Sequence, residues 1–298
     1  MKKGIAVTLS CYIMWGIIPA YWNLLSDVNP LLILCARIIF AFIFMMGVLV
    51  VTGRMQTFCK TIADKKVMAY LVPAGLLISI NWGIFIWAVN NGRVLDSSLG
   101  YYLNPLIAFL FGVLVFKEKY VKLQLVAVGL ALTGVLISFI AFGSFPFVAL
   151  SLSLLFAVYG ILKKKANADP AASIAIESMI VAPIALIFPF VFLSENVAAV
   201  NIPILLLLIG GGALTAIPLF LFARAINDVP FLIVGFFHYI SPTLSLIYGL
   251  LIGEVPSASQ IVSFIFIGLG LILFSIALIY RTSKSKMSRT YTNKTFSQ

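Results

Sequence analysis

The sequence predicts an all-α polytopic membrane protein: ten transmembrane helices in a five-plus-five inverted repeat, with both termini cytoplasmic. Composition, the lengths of the apolar runs and the placement of basic residues predict it. Hydrophobic residues make up 62% of the 298 and charged residues only 10%, and the mean hydropathy is +1.15. An ordinary soluble domain is about 45–50% apolar and about 25% charged. So much apolar surface needs lipid as its solvent. Ten crossings of ~20 residues each use about two thirds of the chain, which excludes a sizeable soluble domain.

Apolar runs cover residues 4–22, 31–51, 67–90, 97–116, 121–142, 145–162, 171–193, 203–224, 230–252 and 258–280. Barrel strands would be about 10 residues long and alternate in polarity. These runs are longer and do not alternate, so they are helices. The first begins directly after Met1-Lys2-Lys3 and continues to Trp22 with no small-residue cleavage site. It is therefore an uncleaved span, not a signal peptide.

Of the 20 Lys and Arg, Arg37 lies inside a span and only Arg93 falls in the connections of one side. The rest share the other side: Lys2 and Lys3, the 52–66 connection, the 117–122 turn, Lys163 to Lys165, Arg224 and the tail from Arg281. The positive-inside rule makes that side cytoplasmic for both termini. The net charge of +11 thus reflects topology, and no nucleic-acid partner is expected. Cys11, Cys35 and Cys59 lack metal or redox spacing and read as small packing residues.

The two halves echo one another. Phe237-His238-Tyr239-Ile240-Ser241-Pro242 matches Gly100-Tyr101-Tyr102-Leu103-Asn104-Pro105. Each is followed by a Gly (Gly112, Gly249), a Glu (Glu118, Glu254) and a Gln (Gln124, Gln260), and Trp15-Gly16 pairs with Tyr159-Gly160. Five spans per half invert the second half, a design of secondary transporters with midplane binding sites. Residues 1–142 and 143–282 form the halves, and 283–298 a basic, disordered cytoplasmic tail.

Ionisable groups within spans are costly and mark functional candidates. Arg37 and Glu177 each lie seven residues into repeat-equivalent spans. Arg37 either faces a substrate or coupling-ion site or snorkels to headgroups; Glu177, with a shorter reach, leans toward the site. His238 is the chain's one histidine, and with its partner Tyr101 it reads as cavity lining or packing before proton chemistry. Pro105 and Pro242 each remove a backbone hydrogen bond within a span, with Asn104 and Ser241 placed to replace it, and they are candidate hinges. Trp15, Trp82 and Tyr159 lie deep, with Asn81, Asn90 and Asn91 nearby, and can line a site for a partly apolar solute. Trp22 and Tyr21 read as interfacial belt. Glu118 and Glu254 fit the N-termini of spans 5 and 10.

HExxH, GxSxG, P-loop and acidic metal clusters are missing from the sequence, so neither an enzyme, a cofactor, a metal site nor an ATP-driven pump is expected. Trp15-Gly16-Ile17-Ile18-Pro19-Ala20-Tyr21, Asn81-Trp82 with Phe85 to Asn91, and Ser98 to Tyr101 with Asn104-Pro105 resemble the RarD proteins of the EamA group, in the drug/metabolite transporter superfamily. So do Tyr159-Gly160 with Lys163 to Lys165, Glu177 with Met179, and Gly235 to Phe237 with Tyr239-Ile240 and Pro242 to Leu244. The resemblance covers nearly everything up to Tyr280; His238 departs from it, since a well-known member carries Gln there. It implies a bacterial plasma-membrane protein with a central cavity lined by spans 1–4 and 6–9, and with spans 5 and 10 peripheral. The expected function is secondary transport, as an exporter of small organic metabolites or drugs by alternating access, with the proton one candidate coupling ion. Uptake by the same fold, or a non-transporting structural or sensory subunit, are the alternatives. The expected partners are a small-molecule substrate and the lipid bilayer; the sequence leaves the oligomeric state open.

Overall fold

The computed structural model describes residues 2–90, 94–143, 147–251 and 257–295. Among them every regular element is helical: α1 (Lys2–Trp22), α2 (Pro30–Val51), α3 (Met55–Ala63), α4 (Lys65–Asn90), α5 (Val94–Leu114), α6 (Lys122–Phe142) and α7 (Phe147–Ala166). These are followed by α8 (Pro170–Phe192), α9 (Ser194–Ala198), α10 (Ile202–Asp228), α11 (Phe231–Phe237), α12 (Ile240–Leu251) and α13 (Ala258–Thr295). Eight helical stretches are long and apolar enough to cross a membrane, and the fourth and ninth apolar runs contain the shorter apolar helices Gly100–Leu114 and Phe231–Leu244. The outside of the bundle is apolar: Val51, Ile140, Ile184 and Leu251 all stand exposed. Such a continuous apolar exterior is what lipid requires and water forbids.

Helix starts follow from local chemistry. Asn29 and Asp169 each precede a proline and accept backbone N–H bonds, from Leu31 in one case and from Ala171 and Ala172 in the other, so they cap α2 and α8. Asp64 accepts from Lys66 and Val67, and Asn201 from Ile204, capping α4 and α10. Gln124 and Gln260 reach back to the amides of Val121 and Ser257, closing the first turns of α6 and α13. A side-chain oxygen placed so satisfies one of the orphan donors of a helix start.

Three features depart from the expectation. The 52–66 connection contains α3, an amphipathic helix whose Phe58 is buried. The ninth run is broken at His238-Tyr239 between α11 and α12, where amides bond three residues back instead of four. Pro242, which cannot donate to His238, keeps α12 from continuing α11; Pro105 by contrast lies inside an unbroken α5. The backbone of α13 also continues to Thr295, through the stretch expected to be disordered. No Gly or Pro follows Gly270 before that point, and extending a formed helix is easy compared with starting one.

The principal pairings are α6 with α13, α2 with α8, α4 with α7, α1 with α10, α5 with α7 and α11, α1 with α12, α2 with α10 and α4 with α8. Exchanging α1 for α7, α2 for α8, α4 for α10, α5 for α11–α12 and α6 for α13 returns the same set. The α6–α13 crossing is closest at Gly134 and Gly270. A Cβ there would lie 2.6 Å from the Ser263 carbonyl and 2.7 Å from that of Ala127, respectively. Helices in lipid associate through such small-residue contacts.

Gly134→Ala and Gly270→Ala should therefore each destabilise the detergent-solubilised protein by about 1–3 kcal/mol, read as a lowered Tm. Gly129→Ala, in open space on α6, should be neutral or stabilising, because Gly costs a helix about 1 kcal/mol relative to Ala. Equal effects at all three positions would refute the close crossing.

Candidate functional site

A cavity of about 790 Å³ runs from the middle of the bundle to the rim of the end opposite the N terminus. Its walls combine Trp15, Arg37, Asn81, Trp82, Tyr101, His238, Ser241 and Pro242, all singled out in the sequence. Asn104, Tyr159, Glu177 and Pro105 do not line it, and the side chain of Asn90 lies outside the described residues, as does Glu254.

Arg37 does not snorkel to headgroups. Its Nε donates to Thr215 Oγ1 at 3.1 Å, and its guanidinium lies 4.3 Å from the Trp82 ring and 5.2 Å from that of Trp22. Both distances are within cation–π range. Thr215 gives its own proton to the Gly211 carbonyl, which leaves an oxygen lone pair for Arg37. Trp22 is thus a cavity residue, where the sequence reading had put it in the interfacial belt. Close approach of α1 and α2 to α10 is allowed by Gly211 and Gly212, packed on Trp22 and Phe40. Asn81 donates to the Leu152 carbonyl at 2.8 Å and Ser241 to the Tyr12 carbonyl at 2.8 Å, so each joins two helices while forming part of the wall.

An aromatic layer floors the cavity. His238 packs on Tyr12 (5.0 Å), Phe156 (5.3 Å), Trp15 (6.2 Å) and Tyr101 (6.3 Å), and Phe222 closes against Trp15 (5.7 Å) and Phe156 (5.4 Å). On the far side of His238 lies a void of about 10 Å³, bordered by Tyr12 and Asn104. The Tyr12 hydroxyl and Asn104 Oδ1 there are buried without a protein partner among the described residues.

Glu177 belongs to a different cluster, below this floor. Its Oε1 pairs with Lys163, and its Oε2 accepts from the Tyr159 hydroxyl at 3.0 Å; Lys163 also donates to Ser173 Oγ at 2.6 Å. Both members of the ion pair are almost fully buried. The expectation that Glu177 faces the cavity is corrected by its partner: Lys163, read as a loop cation, is in the last turn of α7 and points inward.

Glu118 was expected to serve the start of its own fifth span, but it caps α11 instead. Its Oε1 and Oε2 accept from the amides of Phe231 (2.6 Å) and Leu232 (2.9 Å), while Lys164 pairs with Oε1 at 2.9 Å and donates to the Val229 carbonyl. A left-handed turn at Lys117 (φ 52°), with the Glu118 amide bonded to the Gly112 carbonyl, aims the carboxylate there. Arg54 and Asp169 form a further ion pair at this end, at 3.2 Å. The cavity is thus open at one end, and carboxylate contacts tie the helices together at the other.

Spans 5 and 10 are not peripheral to the cavity, as the resemblance implied. Ser138 at the end of α6 and Ser257, Ser259, Gln260, Ser263 and Phe264 at the start of α13 line its rim, with Ser138 donating to Ser263 at 2.7 Å. Thr215 and Phe156 are further lining residues that carried no signal in the sequence, and Phe85 lines the cavity too, quoted there only for the family resemblance.

The profile of the EamA-like transporter family matches residues 2–140 and again 144–276. A Bacillus subtilis (strain 168) protein named "Uncharacterized transporter YojE" is 41% identical over 95% of this chain and 98% of its own. Protein RarD of Escherichia coli (strain K12) is 38% identical over the same shares. A Pseudomonas aeruginosa relative at 27%, covering 91% and 93%, is named "Chloramphenicol-sensitive protein RarD". A solved crystal structure, 14% identical, shares the fold at a TM-score of 0.70 over 92% of this chain and 98% of that one. The chain belongs to the EamA-like transporter family and, within it, to the RarD group. It is a multi-pass membrane protein with a transport role.

Removing one member of a buried ion pair leaves the other uncompensated, at a cost of about 3–5 kcal/mol. Glu177→Gln and Lys163→Met should each lower the Tm sharply in detergent, and Lys163→Met combined with Glu177→Leu should recover much of the loss. Additive losses in the double variant would show that the two side chains do not pair.

Proposed function

We propose that the protein is a secondary transporter, exporting small organic metabolites or drugs across the bacterial plasma membrane by alternating access. One observation carries this reading: a cavity of about 790 Å³, in the size range of small-molecule sites, open at one end and closed at the other by an aromatic floor and two carboxylate clusters. Basic connections mark the closed end, so the positive-inside rule makes it cytoplasmic and the described form outward-open. The exchange symmetry of the helix pairings, the paired caps and the double family match support ten spans in two inverted five-helix halves. Rocking one half against the other would then expose the same residues to the opposite side. The name of the Pseudomonas relative makes chloramphenicol a solute to include in flux assays on proteoliposomes.

The experiment uses single cysteines in a chain lacking Cys11, Cys35 and Cys59. Ser259→Cys, at the cavity rim, should react with an impermeant maleimide added outside cells. Val234→Cys, buried on α11, should react slowly from the cytoplasmic face of inside-out vesicles. Adding Glu118→Gln weakens charge-assisted bonds worth about 1.5–3 kcal/mol each, so the Val234→Cys reaction should quicken about tenfold or more. A rate unchanged by Glu118→Gln, or Ser259→Cys labelled only from the cytoplasmic face, would overturn the outward-open, alternating-access reading.

A further inference from the structure

The transport reading leaves the solute's chemistry open, and the charge inventory of the cavity narrows it. Arg37 is the one formally charged side chain lining the cavity among the described residues. A guanidinium offers five N–H donors in a planar fork. Among the described residues only Nε is engaged, by Thr215. The indoles of Trp22 and Trp82 flank the group at cation–π distance and bring it no oxygen acceptor. The Nη groups thus have no acidic partner among the described residues. The other polar lining groups, Asn81, Tyr101, Thr215, His238 and Ser241 deep in the cavity and the serines and Gln260 at its rim among them, bring no negative charge.

A cation partly withdrawn from water and left without a counter-charge is unfavourable. The same arrangement becomes favourable once a ligand supplies the anion. Carboxylates match the fork with two parallel bonds, and fixing the guanidinium beforehand reduces the ordering cost of binding. The wall beside it is aromatic and apolar, with Trp82, Phe85, Phe156 and Ile33 around the remaining space. A flat apolar body would fill that space. An ammonium group would find no carboxylate among the described lining residues.

Resting on the transporter reading, we propose that this cavity selects organic anions: amphipathic monocarboxylates whose carboxylate is gripped by Arg37 and whose planar apolar body lies along the aromatic wall. Neutral and cationic analogues of the same shape bind less well, because they leave the Arg37 fork unpaired or add a second positive charge beside it. Arg37 is on this account a specificity-determining binding residue, and Thr215 a positioning residue acting through it.

Three probes of nearly one size test this: indole-3-acetate, indole-3-acetamide and tryptamine, titrated into the purified protein in a neutral detergent. Binding is read by quenching of tryptophan emission and by the shift in Tm, since a ligand of the native state raises stability with concentration. Indole-3-acetate should bind in the millimolar range or tighter, with at least about tenfold preference over the amide and the amine. Arg37→Gln should erase that preference by weakening the acid to the level of the amide. Arg37→Lys should keep part of the preference, and Thr215→Val should reduce it a few-fold while the charge remains. Amide or amine binding as tight as the acid in the unmodified protein overturns the proposal, as does failure of the acid to bind in the millimolar range. So does a preference that survives Arg37→Gln. The unmodified-protein comparison does not depend on any variant folding. Cysteine labelling from the two faces reads alternating access whatever the ligand's charge, so the anion assignment can fail while the transport reading stands, and the reverse.

Discussion

A backbone that crosses hydrocarbon cannot leave an amide or carbonyl unpaired, since each unsatisfied group there costs several kcal/mol. Most of this architecture answers that demand. Helices satisfy their own interiors, and the caps Asn29, Asp64, Asp169 and Asn201 satisfy their starts. The exceptions show where the demand is met by other means. The N terminus of α11 has no cap of its own and takes a carboxylate from the turn after α5. The break after α11 falls beside the cavity, where irregular backbone is tolerated in a membrane protein.

The two ends of the bundle are held together by different forces. Toward the closed end, contacts are layered: rings around His238 and Phe222, then the buried Lys163–Glu177 pair with Tyr159, then Glu118 gripping α11 and Lys164. Toward the open end, the polar contacts among α1, α2, α10, α6 and α13 lie mostly within a wall, such as Tyr21 to the Leu207 carbonyl or Ser138 to Ser263. Among the described residues, Arg37 to Thr215 is one that joins two walls. Charged contacts carry geometric specificity as well as energy, which suits them to closing an end in one arrangement.

The membrane class and the helical spans were legible in the sequence because hydropathy and the distribution of lysine and arginine are averages over many residues, insensitive to any one contact. The site was legible where a single residue was anomalous in lipid, as Arg37 is. It was obscured where an anomaly was cancelled by a partner that looked ordinary. Lys163 sits in a run of three lysines typical of a cytoplasmic loop, so nothing announced that it turns inward to neutralise Glu177. Trp22 has the position of a belt residue and became part of the site only because Gly211 lets its ring lie against α10. Gln124 and Gln260 were matched between the halves before their capping role could be seen, since a cap is a matter of backbone geometry and the sequence holds only its residue type.

The α6–α13 crossing, together with α2–α8 and α5–α11, differs from contacts such as α4–α7. Gly134 meets Ser263 on the opposing helix, and Gly270 meets Ala127, so exchanging the two halves carries this contact onto itself. The α4–α7 contact instead exchanges with α1–α10, and these pairs differ in how closely they are joined. In any motion that makes each half adopt the other's arrangement, a self-paired contact has no reason to change, while exchanged contacts must trade their tightness. Under the alternating-access proposal the glycine crossing would then be one stationary post about which the exchanged helices tilt.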